Sequence, residues 1–429
     1  MSAHPYKKIG RGFMFKIVYP VCCGIDVHKQ FVVATIANTD KRNLTTYQTQ
    51  RFSTFTKGLR ELVSWLAQTN CSVVCMESTG KFWIPVYNIL EPSCQITLAH
   101  PKYVKAIRGK KTDKKDSVWI ADLHKHGLVP GSFIPPATIR QIRDLIRYRS
   151  KLVSFASSEK TRVQDSLTVS NITLASVVSD TFGKSASAII DHLINHPEDR
   201  DCDFRRFLHR SMLNKADSIA LALEGDISPV QAEKIGWCKK HYEQLQSHIA
   251  TIESRVRSIA QPYQRQLTII ESVPGLKAFS ALAVLSEIGP DMNQFHSHKH
   301  LCSWAGLAPS NDQSAGKKKS VRISRAGVYI KPLLVQCALA AIRNKSFPFY
   351  RIRYQKLKSR RGHKRAVIAI ARMLLVAIFH CLKDDTPFDP KRYEARLVAS
   401  SSEAVRDRAV SALFADAKRL GYTVLFSGT

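Results

Sequence analysis

Val21-Cys22-Cys23-Gly24-Ile25-Asp26-Val27, then a polar turn at His28-Lys29-Gln30, then Phe31-Val32-Val33-Ala34-Thr35-Ile36-Ala37: this stretch decides the fold class. Two apolar, β-branched runs on either side of a short polar break are the pattern of a β-hairpin. Comparable runs follow at Cys71–Met76 and Cys94–Leu98, while Thr56–Gln68 and Lys81–Leu90 have helical spacing. A hairpin followed by strand and helix units predicts an α/β, RNase H-like sheet. Asp26 is the odd residue in this pattern. A carboxylate inside an apolar strand costs desolvation unless a cation or hydrogen bonds compensate, and a metal ion is one such compensation.

Three further acids join it. Glu77 closes the apolar run Val73-Val74-Cys75-Met76 and precedes Ser78-Thr79-Gly80. If the two strands are neighbours, Asp26 and Glu77 converge at one sheet edge. Asp113 and Asp116 lie three residues apart at the start of an amphipathic segment, so on a helix they share a face, with Thr112 placed to cap it. Taken alone, that segment reads as a solvated charge cluster. Four acids together suffice to hold two divalent cations, Mg2+ or Mn2+, about 4 Å apart for in-line attack at a phosphodiester. Lys102, Lys105, Arg108, Lys110, Lys111, Lys114 and Lys115 surround them, a setting that suits arriving phosphates.

Charge supports the same class of partner. The chain of 429 residues carries 65 Lys+Arg against 34 Asp+Glu, a formal +31, and such an excess concentrates polyanions, nucleic acid above all. Composition alone leaves open a ribosome-associated protein or one that binds anionic membrane. The basic N-terminus lacks the apolar core of a secretory signal, and Ala366–Leu382, interrupted by Arg372, is shorter than a spanning helix of roughly 20 residues. It predicts a buried core helix, no membrane, and a cytoplasmic protein. Ten scattered cysteines without a CxxC repeat suit reduced, mostly buried thiols and argue against zinc.

Along the chain the divisions read as a flexible basic lead-in over 1–20, the α/β domain over 21–135, a helical or coiled-coil arm over 136–267, a mainly α-helical region over 268–395 and a tail helix over 396–429. In the arm, Ile139, Ile142, Ile146, Leu152, Val153, Val163 and Leu167 approximate one stripe. Tyr242, Leu245, Ile249, Ile252, Val256 and Ile259 are spaced 3, 4, 3, 4, 3 as in a heptad seam. An antiparallel hairpin and a coiled coil between subunits both fit. Ser228-Pro229 starts the second helix and Pro262 ends it. The segment 170–225 predicts shorter helices and carries no chemical signal. Ser272-Val273-Pro274-Gly275-Leu276-Lys277 reads as a turn between helices, of the kind that brings a helix N-terminus to a phosphate. Lys277, where a second glycine is common, weakens that reading in favour of a structural turn.

Between Asp312 and Asp384 stand 18 Lys/Arg and no acid. The block opens Leu307-Ala308-Pro309-Ser310-Asn311-Asp312-Gln313-Ser314-Ala315-Gly316 and continues through Lys317, Lys318, Lys319, Arg322 and Arg325 to Gly327. A polar, glycine-containing loop followed by cations can set a serine hydroxyl against a phosphate. On physics alone, a flexible basic loop gripping the backbone fits at least as well.

With these motifs in place, the chain resembles the IS110-type transposases, from about Val21 to Asp389. The resemblance rests on Gly24-Ile25-Asp26-Val27-His28-Lys29, Glu77-Ser78-Thr79-Gly80, Lys111-Thr112-Asp113-Lys114-Lys115-Asp116, the Ser272–Lys277 turn, and the order Trp304-Ala305-Gly306-Leu307-Ala308-Pro309 to Ile323-Ser324-Arg325-Ala326-Gly327. It implies a RuvC-like domain whose DEDD metal ligands are Asp26, Glu77, Asp113 and Asp116, and a C-terminal transposase domain with Ser314 as nucleophile. It also implies excision and insertion of an insertion-sequence element through a covalent phosphoserine-DNA intermediate. A structured noncoding guide RNA, double-stranded donor and target DNA, and a dimer that becomes a tetramer at synapsis belong to the same expectation, as does work at the bacterial nucleoid. The long 170–225 segment and Lys277 depart from the family pattern. A RuvC-like structure-specific nuclease using water, and a noncatalytic RNA-binding protein with structural acids, are the alternatives.

Overall fold

The computed structural model describes, with side chains, residues 16–104, 115–197, 199, 202–309, 322–391 and 419, and the backbone alone of 7–9, 12–14, 113–114, 312–314 and 317–320. It divides into two compact units, Met1–Ile134 and Pro135–Thr429.

In the first unit, β1 (Lys7–Ile9) and β2 (Gly12–Met14) form a small antiparallel hairpin where the sequence predicts a flexible lead-in. Strands of three residues are too short to leave a readable period-two pattern. The main sheet contains β3 (Val21–Val27), β4 (Phe31–Thr39), β5 (Thr45–Ser53), β6 (Val73–Glu77) and β7 (Gln95–Ala99) in the order β5-β4-β3-β6-β7. The first three strands form an antiparallel meander, and β6 and β7 run parallel to β3. Helix α1 (Thr56–Gln68) joins β5 to β6, and α2 (Trp83–Leu90) joins β6 to β7. The predicted α/β class and the hairpin of β3 and β4 are both present.

Strand β5 is the element that the hydrophobic pattern hides. Its sequence is largely polar and only Phe52 is buried, because an edge strand need cover the core at few positions. Its pairing to β4 is nevertheless continuous, from Phe31↔Ser53 to Thr39↔Thr45.

The alternation of β3 assigns its two faces. Cys23, Ile25 and Val27 pack with Leu59, Leu62 and Leu66 of α1 and Val86 and Leu90 of α2. Cys22, Gly24 and Asp26 therefore face the opposite way. After the short helix α3 (Pro101–Val104), that second face is covered by α4 (Asp113–Lys125). The approach is close because Gly24 has no side chain: a Cβ there would collide with Ala121 N and Ser117 O.

In the second unit, α5 (Ala137–Val169) and, further along the chain, a helix of similar length pack against each other. Between them lie α6 (Leu174–Val177), α7 (Lys184–Asn195), 3-10 turns at Phe204–Phe207 and Arg210–Lys215, and α8 (Ala216–Ala222), around a core that includes Ile189, Ile190, Ile219 and Leu223. The second long helix is α9 (Pro229–Ile259), capped by Ser228, whose Oγ accepts from Gln231 N at 3.3 Å. Leu152 and Ala156 of α5 meet Leu245 and Ile249 of α9. Arg149 pairs with Glu253 at 2.8 Å and His241 with Glu159 at 2.9 Å, so the two helices run antiparallel within one chain.

Helices α10 (Gln264–Glu271), α11 (Ala278–Ile288) and α12 (His298–Trp304), strands β8 (Asp312–Ser314) and β9 (Lys317–Ser320), and helices α13 (Ile330–Arg343), α14 (Phe349–Arg361) and α15 (His363–Lys383) complete it. Helix α15 is the described helix long and apolar enough to cross a membrane, yet 61% of its apolar window is buried against its neighbours. Gly275 has φ +93, and a Cβ there would strike Cys337 O and Ala341 of α13. Gly275 thus makes its close approach to a helix, which gives the turn a structural role. Of the expected tail helix, only Arg419 lies among the described residues.

Candidate active site

The parallel register Gly24↔Cys75 and Ile25↔Met76 places Asp26 beside Glu77 at the next step. Glu77 has the same facing as Cys75, which packs with Ile120 of α4. Both carboxylates therefore stand on the α4 side of the sheet, at the C-terminal ends of their strands.

The direction of α4 brings the other two acids toward them. Cys22 Sγ lies 3.6 Å from Ala121 O, His124 stacks on Tyr19 at 4.7 Å, and Lys125 O accepts from Val18 N. The C-terminal end of the helix is thus at the start of β3, and its N-terminal end points the way β3 runs, toward Asp26. Asp113 is the first residue of that end and Asp116 lies one turn inside. Ser117 anchors the register, its Oγ 2.7 Å from Thr35 Oγ1 on β4. The Asp113 side chain lies outside the described residues.

The environment of each acid differs. Asp26 is 8% exposed, and His28 Nε2 stands 3.2 Å from its Oδ2. The His28 ring rests on Phe31 at 4.6 Å, which fixes its orientation. Glu77 is half-buried and accepts from Thr79 Oγ1 at 3.2 Å. The turn that follows depends on Gly80 in the left-handed region, φ +55. The nearest thiols are inert: burial pushes Cys22 and Cys75 each up to about 12, chiefly by desolvation. The acids at this sheet end offer carboxylate oxygens, the donors that hard divalent ions select, with the His28 imidazole beside Asp26. Sequence reasoning alone did not single out His28, Thr79 or Gly24. Positions next to predicted ligands inside a motif were the available signal.

In the second unit, Ser314 is the last residue of β8 and pairs with Lys317, the first of β9, so two residues join the strands. The ribbon continues as an antiparallel bridge between Pro309 and Ile323. Its base is clamped by two glycines in the left-handed region. Gly306 (φ +67) lies against Ala326 O and Gly327 (φ +68) against Ala305 O, approaches that any side chain would block. Lys331 Nζ donates to Ser324 O at 2.8 Å and Ala326 O at 3.0 Å, which ties the loop to α13. The side chains of Ser314 and of Lys317, Lys318 and Lys319 lie outside the described residues, as do Lys105, Arg108, Lys110 and Lys111 altogether. Lys102, Arg322 and Arg325 are exposed.

Exposure adds cations that the sequence count does not distinguish. Helix α14 presents Arg351, Arg353, Lys356, Lys358, Arg360 and Arg361, all exposed, with no acid in the helix.

Two family models match the chain: one described as a transposase with a DEDD domain of the IS110 type, over residues 23–172, and one described as the transposase IS116/IS110/IS902 family, over 267–355. The chain is 24% identical over 319 residues to the transposase for insertion sequence element IS1111A of Coxiella burnetii, covering 72% of this chain and 78% of that protein. It is 28% identical to the insertion element IS900 uncharacterized 42 kDa protein of Mycobacterium paratuberculosis, covering 65% and 73%. A pilin gene-inverting protein of Moraxella bovis is 30% identical over 135 residues, 30% of this chain and 40% of that one.

Proposed function

Because the chain belongs to the IS110 family of transposases, and is therefore a DNA recombinase dependent on divalent metal, we propose that it excises and inserts an insertion-sequence element with Ser314 as nucleophile and a noncoding RNA as guide. The observation that carries the metal half of this reading is the convergence of Asp26, Glu77 and the N-terminal end of α4 on one end of the sheet.

Asp26, Glu77, Asp113 and Asp116 would hold the ions, and divalent cations bound there would supply charge that stabilises a pentacovalent phosphate. His28 acts on Asp26, holding one carboxylate oxygen in place, and Thr79 does the same for Glu77. Ser314 Oγ gives its proton to solvent as it attacks phosphorus, and the P–O bond to one deoxyribose oxygen breaks, that oxygen taking a proton from solvent. One phosphate ester is exchanged for another, so the reverse attack rejoins DNA without ATP. The hairpin geometry supports this role, since Ser314 ends its strand paired with Lys317, in a ribbon whose base is fixed by Gly306, Gly327 and Lys331. The exposed cations of α14, with Lys102, Arg322, Arg325 and the lysines of β9, fit phosphates of DNA or of a structured RNA. The paired α5 and α9 offer the surface through which subunits associate.

The test incubates purified protein with Mg2+, guide RNA and suicide DNA substrates, then maps any denaturation-resistant adduct by mass spectrometry. The expected adduct is on Ser314 and is lost in Ser314→Ala with nucleic-acid binding retained. An adduct that persists in Ser314→Ala overturns the assignment, and cleavage without any adduct replaces it with a nuclease that uses water.

A further inference from the structure

The segment between α5 and α9 carries a donor cluster of a different chemistry. His192 lies in the last turn of α7, and Asp199 and Cys202 lie in the stretch leading to the 3-10 turn at Phe204. One ligand atom from each lies within 4.8 Å of the other two, and among the described residues no other group of three such side chains closes so far. His192 Nε2 is 3.0 Å from Asp199 Oδ2. In a tetrahedral zinc site with bonds of about 2.0–2.3 Å, adjacent ligand atoms stand about 3.3–3.8 Å apart. A cation replacing the proton between His192 and Asp199 therefore needs small side-chain movements only.

The surroundings favour an ordered site. Phe207 and Phe204 lie 5.4 and 5.9 Å from the His192 ring, whose side chain is 10% exposed. Both phenylalanines pack on the apolar cluster that contains Ile189 and Ile190. Asp199 keeps 41% of its side chain exposed, which leaves an open approach. His196, one turn beyond His192, has its ring 4.9 Å away. Eight of the ten cysteines are buried and all ten are free of disulfides, while Cys202 is half-buried beside an imidazole and a carboxylate.

We propose that His192, Asp199 and Cys202 bind a zinc ion, with His196 or water in the fourth position, and that the ion staples the 196–203 stretch to the end of α7. The nitrogen, oxygen and sulfur set selects zinc over Mg2+ or Ca2+, which prefer oxygen alone. This site is separate in residues and in metal from the four acids of the first unit. The proposal departs from the expectation against zinc, which looked for paired cysteines, because the ligands here follow a mixed spacing, His192-x3-His196-x2-Asp199-x2-Cys202.

The full-length protein, stripped by chelator dialysis, is titrated with Zn2+ by calorimetry and with Co2+ by absorption. With Mg2+ in excess to occupy the four acids of the first unit, one thiolate-ligated equivalent per chain is expected, read as a thiolate-to-cobalt charge-transfer band. Cys202→Ser, nearly isosteric, should abolish the band, and His192→Ala should weaken zinc binding more than about 100-fold, beyond the loss expected from a mere outer-shell partner. Asp26→Ala, which touches no thiolate ligand, should leave the charge-transfer band unchanged. Zinc should also protect the 196–203 stretch from proteolysis in the parent chain and not in Cys202→Ser. A chain that takes up no zinc, a cobalt band that survives Cys202→Ser, or a band lost in Asp26→Ala overturns the proposal.

Discussion

Replacing Gly24 by alanine tests whether the seat of α4 on β3 sets the geometry of the four acids. The added Cβ would stand 2.9 Å from Ala121 Cα and nearer still to Ala121 N and Ser117 O, where ordinary contact begins at 3.4 Å. All three atoms are backbone, so no rotamer change relieves the clash and the helix must move by about 1 Å, as in an overpacked core. Overpacking of this kind costs about 1–3 kcal/mol. The same shift carries Asp113 and Asp116 away from Asp26 and Glu77, and a 1 Å misplacement of reacting groups costs on the order of 100-fold in rate. Gly24→Ala is therefore expected to remain folded, lose about 2 kcal/mol in urea unfolding, and lose roughly two orders of magnitude in metal-dependent strand cleavage. Adding Ala121→Gly should not rescue it, because the obstruction is main chain. Wild-type stability and cleavage in Gly24→Ala would refute the seating of α4, and rescue by Ala121→Gly would refute the backbone origin of the clash.

Two further perturbations read the packing of each unit. Burial pulls the His124 imidazole from 6.5 down to about 4, so folding favours its neutral form. That contribution is complete above pH 6.5 and disappears as pH falls toward 4, at most about 3 kcal/mol. His124→Phe should make the acid limb of the stability curve shallower between those values, and an unchanged slope would contradict the assignment. In the second unit, Glu287 is 5% exposed and receives both Arg147 Nε at 2.8 Å and Nη2 at 2.9 Å, while burial lowers neighbouring Arg143 to about 10 with Glu287 opposing. Arg143 also donates to Ser286 O and Glu287 O, closing the end of α11. Glu287→Ala should cost about 2 kcal/mol by leaving the half-buried Arg143 and Arg147 without their shared carboxylate. A loss below about 1 kcal/mol in chemical denaturation would place the pair among exposed, weakly contributing bridges.

Much of the first unit was legible because its strands are buried on both faces and so leave long apolar runs, as β3 and β4 do. Asp26 stood out for the same reason: a charge is conspicuous where everything around it avoids water. Strand β5 was hidden, since an edge strand is stabilised by its ladder to β4 and exposes most of its side chains. The paired stripes of α5 and α9 could be read as apolar periodicity, but periodicity is silent on whether the partner helix belongs to the same chain.

The sequence by itself determined the chemistry on offer: four acids in apolar or helix-start settings, a serine in a basic block, and a charge suited to nucleic acid. Those are local properties, set by residue type and near-neighbour spacing. Tertiary structure decided which of them meet. The parallel register of β3 with β6 set Asp26 beside Glu77, and a glycine that lets α4 lie directly on β3 aimed the helix start at both. His28 against Asp26, Gly306 against Ala326, and the His192–Asp199–Cys202 cluster depend on contacts between backbone turns whose geometry no spacing rule encodes. Their energetics come from burial and from the direction of approach, and both exist only once the chain has folded.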